Sequence, residues 1–252
     1  MPARHHYNVQ LGLTVNAAVR VNGITVHHGS SSTQDGITGP VDHLLLPGEN
    51  HLEVEIRAGD PAHGSAHFHA SIRRTVVGSI IAQLDWPADF PALPPPAPPY
   101  PTLQVRPFLM SEDHPRPLFA DAPAERVPLE GTDETWAPIR ALQAAFERGD
   151  AAAVQELLST RVAEAHRFYD LPLTSPAGAQ AAIGARMAAP YDMLPLYGGQ
   201  VVFIECAGGR AVQLLRLDGR PAIAGQSRAD PKLRFLSNPV LVRQGGVYRI
   251  VA

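Results

Sequence analysis

The feature that most constrains this chain is a proline run. Residues 87–101 read Pro-Ala-Asp-Phe-Pro-Ala-Leu-Pro-Pro-Pro-Ala-Pro-Pro-Tyr-Pro. Proline fixes φ and has no N–H to donate, so this stretch can join neither a helix interior nor a sheet ladder. It favours polyproline II, the conformation of a semi-rigid spacer. A polyproline segment can also dock in an aromatic groove, but proline is a usual residue at a domain boundary, and the spacer is the reading taken. Proline stays frequent to Pro128, making thirteen between Pro87 and Pro128. Leu103 to Met110 could add one strand within this region. With 252 residues the chain has room for one domain on either side.

The first half reads as short strands. Val9, Leu11 and Leu13 alternate along Asn8–Val15. Val19-Arg20-Val21 runs into Asn22-Gly23, a hairpin signal, and Ile24-Thr25-Val26 follows. Gly29 to Gly39 is a Ser/Thr/Gly-rich loop. Pro47-Gly48-Glu49-Asn50 is a turn in which Pro presets φ and Gly or Asn accepts positive φ. Leu52, Val54 and Ile56 alternate with Glu53, Glu55 and Arg57, as in a half-buried strand. His67–Ile72 and Thr75–Leu84 complete the set. Many short strands with turns between them predict a β-sandwich over residues 1–86. The run Val-x-Val-Asn-Gly (19–23), then Leu-Leu-x-Pro-Gly-Glu-Asn-x-Leu-Glu-Val-Glu-Ile (44–56), resembles the sandwich accessory domains of bacterial glycosidases and related jelly-roll modules. The resemblance implies two strands meeting across the Pro-Gly-Glu-Asn turn. It implies fold rather than sugar binding, because only Tyr7, Phe68 and Trp86 precede the proline run as stacking candidates.

From Asp133 the period becomes helical. Trp136, Ile139, Leu142 and Phe146 share a face, Gly149 ends the helix and Asp150 caps the next. The second helix carries Val154, Leu157, Leu158, Val162 and Ala165 and runs to about Tyr169. Ser175-Pro176 opens a third, with Ser as N-cap and Pro at N1, through Ile183 to Met187. Strands are expected at Val201–Cys206, Ala211–Leu217, Leu233 to Leu241 and Val247–Val251. Helices followed by antiparallel strands give an α+β domain over residues 131–252. Residues 141–158, Ala-Leu-Gln-Ala-Ala-Phe-Glu-Arg-Gly-Asp-Ala-Ala-Ala-Val-Gln-Glu-Leu-Leu, resemble the opening helices of the nuclear transport factor 2-like (SnoaL-like) cone fold. Gly-Gly-Val-Tyr-Arg-Ile-Val (245–251) resembles its last strand. That resemblance implies a curved sheet with a pocket between sheet and helices, in a family holding both enzymes and interaction domains.

Several chemistries are excluded or disfavoured. A formal charge of −3 gives no footprint for sequence-independent nucleic-acid binding. Lys232, the only lysine, lies in an Asp-Pro turn context. Cys206, the only cysteine, rules out an intrachain disulfide and cysteine-rich metal sites. No apolar signal region opens the chain, and no apolar run is long enough to span a bilayer. Phosphate-binding glycine motifs and the Gly-x-Ser-x-Gly elbow are absent. Ten of eleven histidines fall in residues 1–114. His67 and His69 sit on one face of a strand, roughly 6.5–7 Å apart, and His27, His28, His43 or His63 could supply a third ligand for zinc. No fixed-spacing motif supports that site, so no metal and no cofactor are expected. His166 follows Leu158 and Val162 on the inward stripe of the second helix, with Asp170 one turn on. The pair could serve as base and partner, or could equally be a helix end with histidine at its C-terminal dipole. Glu205, beside Cys206 in an apolar strand, is a further carboxylate.

The sequence thus predicts two domains, an all-β sandwich and an α+β cone-like domain, joined by a Pro-rich linker over 87–130. The expected function is non-enzymatic binding of a protein partner in the cytoplasm, as an adaptor or an immunity-type inhibitor of a toxin, with no nucleic acid and no membrane involved. Two alternatives stay open. One is a hydrolase or isomerase using a C-terminal pocket with His166 and Asp170. The other is a carbohydrate-binding module using Tyr7 or Trp86.

Overall fold

A computed structural model describes residues 7–13, 16–30, 37–58, 68–75, 78–86, 88–89, 102–169, 178, 181, 184–185, 187, 189–196, 199–218 and 220–252. The described chain is mostly β, with antiparallel sheets before and after three α-helices. It divides into two compact units, Met1–Pro117 and Leu118–Ala252. No helix among the described residues is long and apolar enough to cross a membrane.

The first unit holds β1 (Tyr7–Leu13), β2 (Asn16–Val21), β3 (Ile24–Ser30), β4 (Ile37–Pro40), β5 (Gly48–Ala58), β6 (Phe68–Arg74), β7 (Ile80–Trp86) and β8 (Thr102–Met110). They form two four-stranded sheets, ordered β4-β1-β6-β7 and β3-β2-β5-β8. The Asn22-Gly23 hairpin forms as its sequence requires: both residues take positive φ, 53° and 77°, the geometry that matches the twist of the flanking strands. The alternation in β5 also holds. Leu52, Val54 and Ile56 are buried, while Glu53 and Glu55 lie half-buried on the other face. The strand expected at Thr75–Leu84 begins only at Ile80, because Gly78 takes φ 68° and turns the chain, its N–H donating to the Arg74 carbonyl at 2.8 Å. The strand at 103–110 is present as β8 and pairs with β5 from Thr102 to Met110. Apart from Ala88 and Asp89, the proline run lies outside the described residues.

Two asparagines knot this unit together. The wholly buried Asn50 donates through Nδ2 to the carbonyls of Leu46 (2.8 Å) and Gly48 (2.9 Å). Its Oδ1 accepts from the Leu46 N–H (2.7 Å) and from Asn22 Nδ2 (2.8 Å). Asn22 Nδ2 also donates to the Leu44 carbonyl at 2.7 Å, and its Oδ1 accepts the His51 N–H at 2.9 Å. Each of these partners is a buried or part-buried polar group that would otherwise lose water without replacement.

The second unit holds α1 (Asp133–Arg148), α2 (Ala151–Leu157), α3 (Ser159–Phe168), β9 (Tyr191–Met193), β10 (Val201–Cys206), β11 (Ala211–Arg216), β12 (Ile223–Ser227), β13 (Arg234–Ser237), β14 (Val240–Gln244) and β15 (Val247–Ile250). One sheet runs β10-β11-β14-β15 and a second β13-β12-β9. α1 is capped at its start by Thr132 paired reciprocally with Thr135, and ends at Gly149 in the left-handed region. The Asp150 side chain accepts the Ala153 N–H at 3.1 Å and starts α2. The core gathers Ile139, Leu142 and Phe146 of α1 with Val154, Phe203, Leu214, Leu241 and Ile250. Phe146 packs against Tyr191 and Phe235, with ring centroids 5.2 and 4.4 Å away.

Three expectations need correction here. The single helix over 150–169 is two, broken at Leu158 (φ −93°, ψ 1°). Ser159 Oγ donates to the Glu156 carbonyl at 2.7 Å, the local bond by which serine competes with a helix ladder. The strand expected from Leu233 to Leu241 is interrupted at Asn238-Pro239. Asn238 Oδ1 accepts the Ala222 N–H (2.8 Å), and the Pro239 carbonyl accepts from Leu214 (2.9 Å). β9 and β12 have no counterpart in the sequence reading, since Ala-Gly-Gln within β12 breaks any apolar alternation. The helix expected from Ser175 to Met187 falls mostly outside the described residues.

Candidate functional site

The outer face of β5 and β8 is the feature that packing within the unit does not explain. β8 is an edge strand. Its inward column carries Phe108 and Met110, both buried. Its outward column is also apolar: Leu103 (52% exposed), Val105 (46%), Pro107 and Leu109 (75%). Proline is tolerated there because an edge strand does not need every N–H. Side chains on one face repeat every two residues, so the column runs for roughly 20 Å. The β5 partners on the same face are polar. Leu103 stands opposite Glu55, Val105 opposite Glu53, Pro107 opposite His51 and Leu109 opposite Glu49. An aliphatic column therefore lies beside an acidic one.

The acids are unequally compensated. Glu55 Oε2 accepts from Arg20 Nη2 at 2.5 Å. Glu53 Oε1 accepts the Gly23 N–H at 2.8 Å. Glu49 Oε1 lies 3.1 Å from His51 Nε2, on an exposed pair that counts as ionic only when the imidazole is protonated. Arg106, which points to the opposite face, is engaged with Asp89 Oδ1 at 2.8 Å. A face like this can bind another surface by burying aliphatic area and matching charge. It offers no nucleophile and no enclosed space.

The residues singled out in the sequence fall elsewhere. His166 lies near the end of α3, half-buried, and its Nε2 is shielded from solvent with no hydrogen-bond partner among the described residues. Asp170 lies outside the described residues. The side chain of Glu205 is engaged structurally, Oε1 accepting the Val127 N–H at 3.2 Å. Cys206 is buried, and burial pushes its thiol up to about 12. Because the thiolate is the reactive form, an aromatic disulfide reagent at pH 8 is expected to label native Cys206 at least roughly 100-fold more slowly than urea-unfolded chain. Rapid labelling of the native protein would contradict its placement. Tyr7 is buried, 6.0 Å centroid to centroid from His114, and presents no open face to a sugar. The side chains of Phe68 and Trp86 lie outside the described residues.

His67 and His63 also lie outside the described residues, and among those described no three His, Cys, Asp or Glu side chains gather as metal ligands do. His69 has different company. Its Nδ1 is 2.6 Å from Asp85 Oδ1, and its Nε2 is 3.1 Å from Ser71 Oγ. Partial burial raises the Asp85 carboxyl, but hydrogen bonds from Gln83 and His69 outweigh it and hold the group below the usual carboxylate range. Serine, histidine and aspartate in this sequence of contacts resemble a nucleophile, base and orienting acid. Ser71 is however fully buried, and its Oγ also accepts from Arg73 Nε at 3.1 Å, so it presents no face to a carbonyl. The trio is a polar ladder across β6 and β7. Hairpin register could have revealed it, since His69 stands opposite Asp85.

In the second unit a cleft of only about 10 Å³, room for about one water, is lined by Glu125, Gly209, Arg210, Arg243 and Tyr248 among others. Sites for metabolites usually enclose roughly 300–1,000 Å³. Glu125 accepts from Arg243 Nη1 at 2.7 Å, and burial with the Glu125 contact raises the Tyr248 phenol to about 12. These groups satisfy one another and leave little room for a substrate.

The β8 face was legible as a strand but not as a surface. Its signal was apolar residues at both parities, Leu103, Val105 and Leu109 against Phe108 and Met110. No family model, curated protein or solved structure matches the chain.

Proposed function

We propose that this chain is a non-enzymatic protein-binding protein, an adaptor or an immunity-type inhibitor, that docks its partner on the outer face of β5 and β8. The exposed aliphatic column Leu103, Val105, Pro107 and Leu109 carries this reading. Contiguous exposed apolar patches mark interaction sites, whereas single surface leucines do not. We read the first unit as a β-sandwich, supported by its two four-stranded sheets and buried alternating columns. We read the second as a cone-like α+β domain, supported by helices that share a core with the strands. A net charge of −3 favours a protein over a nucleic acid as partner. A cytoplasmic location belongs to the same reading.

The test is a paired one. The tagged chain is expected to recover a defined protein from its native extract. The Val105→Glu, Leu109→Glu double variant is expected to lose that protein while unfolding at the parent's midpoint, since both positions are exposed and outside the core. Capture indifferent to the double substitution would move the site elsewhere. Hydrolase or isomerase turnover abolished by His166→Ala, in a variant that melts like the parent, would replace the binding reading with the enzymatic one.

A further inference from the structure

We propose that the partner presents an extended segment carrying an aliphatic row flanked by cationic side chains spaced four residues apart. This rests on the protein-binding reading above and specifies the occupant of the same face.

The argument is one of matched columns. Along β5 and β8 every outward aliphatic residue except Pro107 stands opposite a glutamate: Leu103 and Glu55, Val105 and Glu53, Leu109 and Glu49. Strands in a sheet are about 4.8 Å apart, so an occupant covering the aliphatic column also meets the acidic one. Covering Leu103, Val105 and Leu109 requires aliphatic side chains. Covering the neighbouring glutamates with anything uncharged removes water from carboxylates without replacing it, a cost that favours a cationic counterpart.

Not all three glutamates ask for one. Arg20 already neutralises Glu55 at 2.5 Å. Glu53 is only partly engaged, by one backbone N–H. Among the described residues Glu49 has only His51, 3.1 Å away in an exposed pair that water screens. The uncompensated carboxylates are therefore Glu49 and Glu53. Four residues along a strand separate them by roughly 13 Å. An extended segment with Lys or Arg at positions i and i+4 reproduces that spacing. An acidic or wholly apolar segment leaves the acids desolvated or opposed by like charge. Among the described side chains, the cation facing the columns is Arg20, which is held by Glu55 and does not offset this preference.

The probe is a random dodecapeptide library displayed on phage and panned against the full-length chain. Three proteins are compared: the parent, Leu103→Ser/Val105→Ser/Leu109→Ser, and Glu49→Gln/Glu53→Gln. The expected result is enriched peptides with Lys or Arg at i and i+4 and aliphatic residues between them. These peptides should fail on the serine variant, bind the glutamine variant about tenfold more weakly, and weaken with added salt, as surface charge pairs do. Peptides that need the aliphatic column but lack cations, or that bind the glutamine variant undiminished, overturn the proposal and leave the protein-binding reading standing. No enrichment that depends on the aliphatic column overturns both. If the serine variant's melting temperature falls, the single substitution Leu109→Ser, at the most exposed position, makes the same comparison without that complication.

Discussion

Asn50→Ala is expected to destabilise the first unit by about 3–5 kcal/mol, a large share of the roughly 5–15 kcal/mol that holds a domain together. The Asn50 side chain is wholly buried and makes four hydrogen bonds, to Leu46 N, Leu46 O, Gly48 O and Asn22 Nδ2. Alanine fills part of the volume but supplies no polar atom. The Leu46 N–H and carbonyl then lose their side-chain partner at a part-buried position, and each unmade buried bond costs about 1–3 kcal/mol. Asn22 suffers indirectly. It is a non-glycine residue at φ 53°, and the bonds of its side chain to Leu44, Asn50 and His51 help to fix that conformation. Two tryptophans make the measurement clean. In a Trp136→Phe background Trp86 alone reports, and its urea transition should move to much lower denaturant. A midpoint unchanged within error would show that the network is decoration on a core already set by Leu52, Val54 and Ile56.

That network also shows why part of the fold was readable. Asn22-Gly23 and Pro47-Gly48-Glu49-Asn50 are local signals: a turn type demands positive φ, and few residues accept it. The helical stripe of α1 is equally local, as are Gly149 and Asp150 at its end. What escaped the sequence depends on partners far along the chain. The break at Leu158 needs Ser159 Oγ to take one carbonyl rather than point to solvent. β12 is a strand through its pairing with β9 and β13, not through any alternation of its own. The candidate site follows the same rule. Leu103, Val105 and Leu109 look like core residues in the sequence, because apolar residues usually are. Only the register of β8 at a sheet edge, with Phe108 and Met110 taking the inward places, sends them outward. His166 shows the converse: its helical stripe is real, yet no described carboxylate meets its Nε2.

Arg216→Met is expected to stabilise the second unit by about 1–2 kcal/mol. Arg216 ends β11 on the column of Val212 and Leu214 and is only 1% exposed. Its guanidinium makes two neutral hydrogen bonds, from Nη1 to Gln200 Oε1 at 3.3 Å and from Nη2 to the Pro195 carbonyl at 3.1 Å, while Nε has no partner. No described carboxylate lies within ion-pair distance. Asp218, two residues on, is clasped by Arg220 through Nε at 2.9 Å and Nη2 at 2.6 Å. A buried cation of this kind has given up its hydration for two long bonds to neutral acceptors. Methionine keeps much of the aliphatic length, adapts to irregular space and has no charge to desolvate. It leaves two acceptors behind, but Gln200 is on an exposed turn where its amide can find water. Arg216→Ala is expected to act oppositely, losing at least about 2 kcal/mol because the same charge is removed but a cavity remains. The contrast separates the two contributions: charge burial governs the methionine variant and packing governs the alanine one. Thermal and urea unfolding followed by Trp136 in a Trp86→Phe background would read both. If methionine destabilises as much as alanine, the hydrogen bonds to Gln200 and Pro195 outweigh the desolvation of the guanidinium, and the cation is a net tie between β11 and the segment that precedes β10.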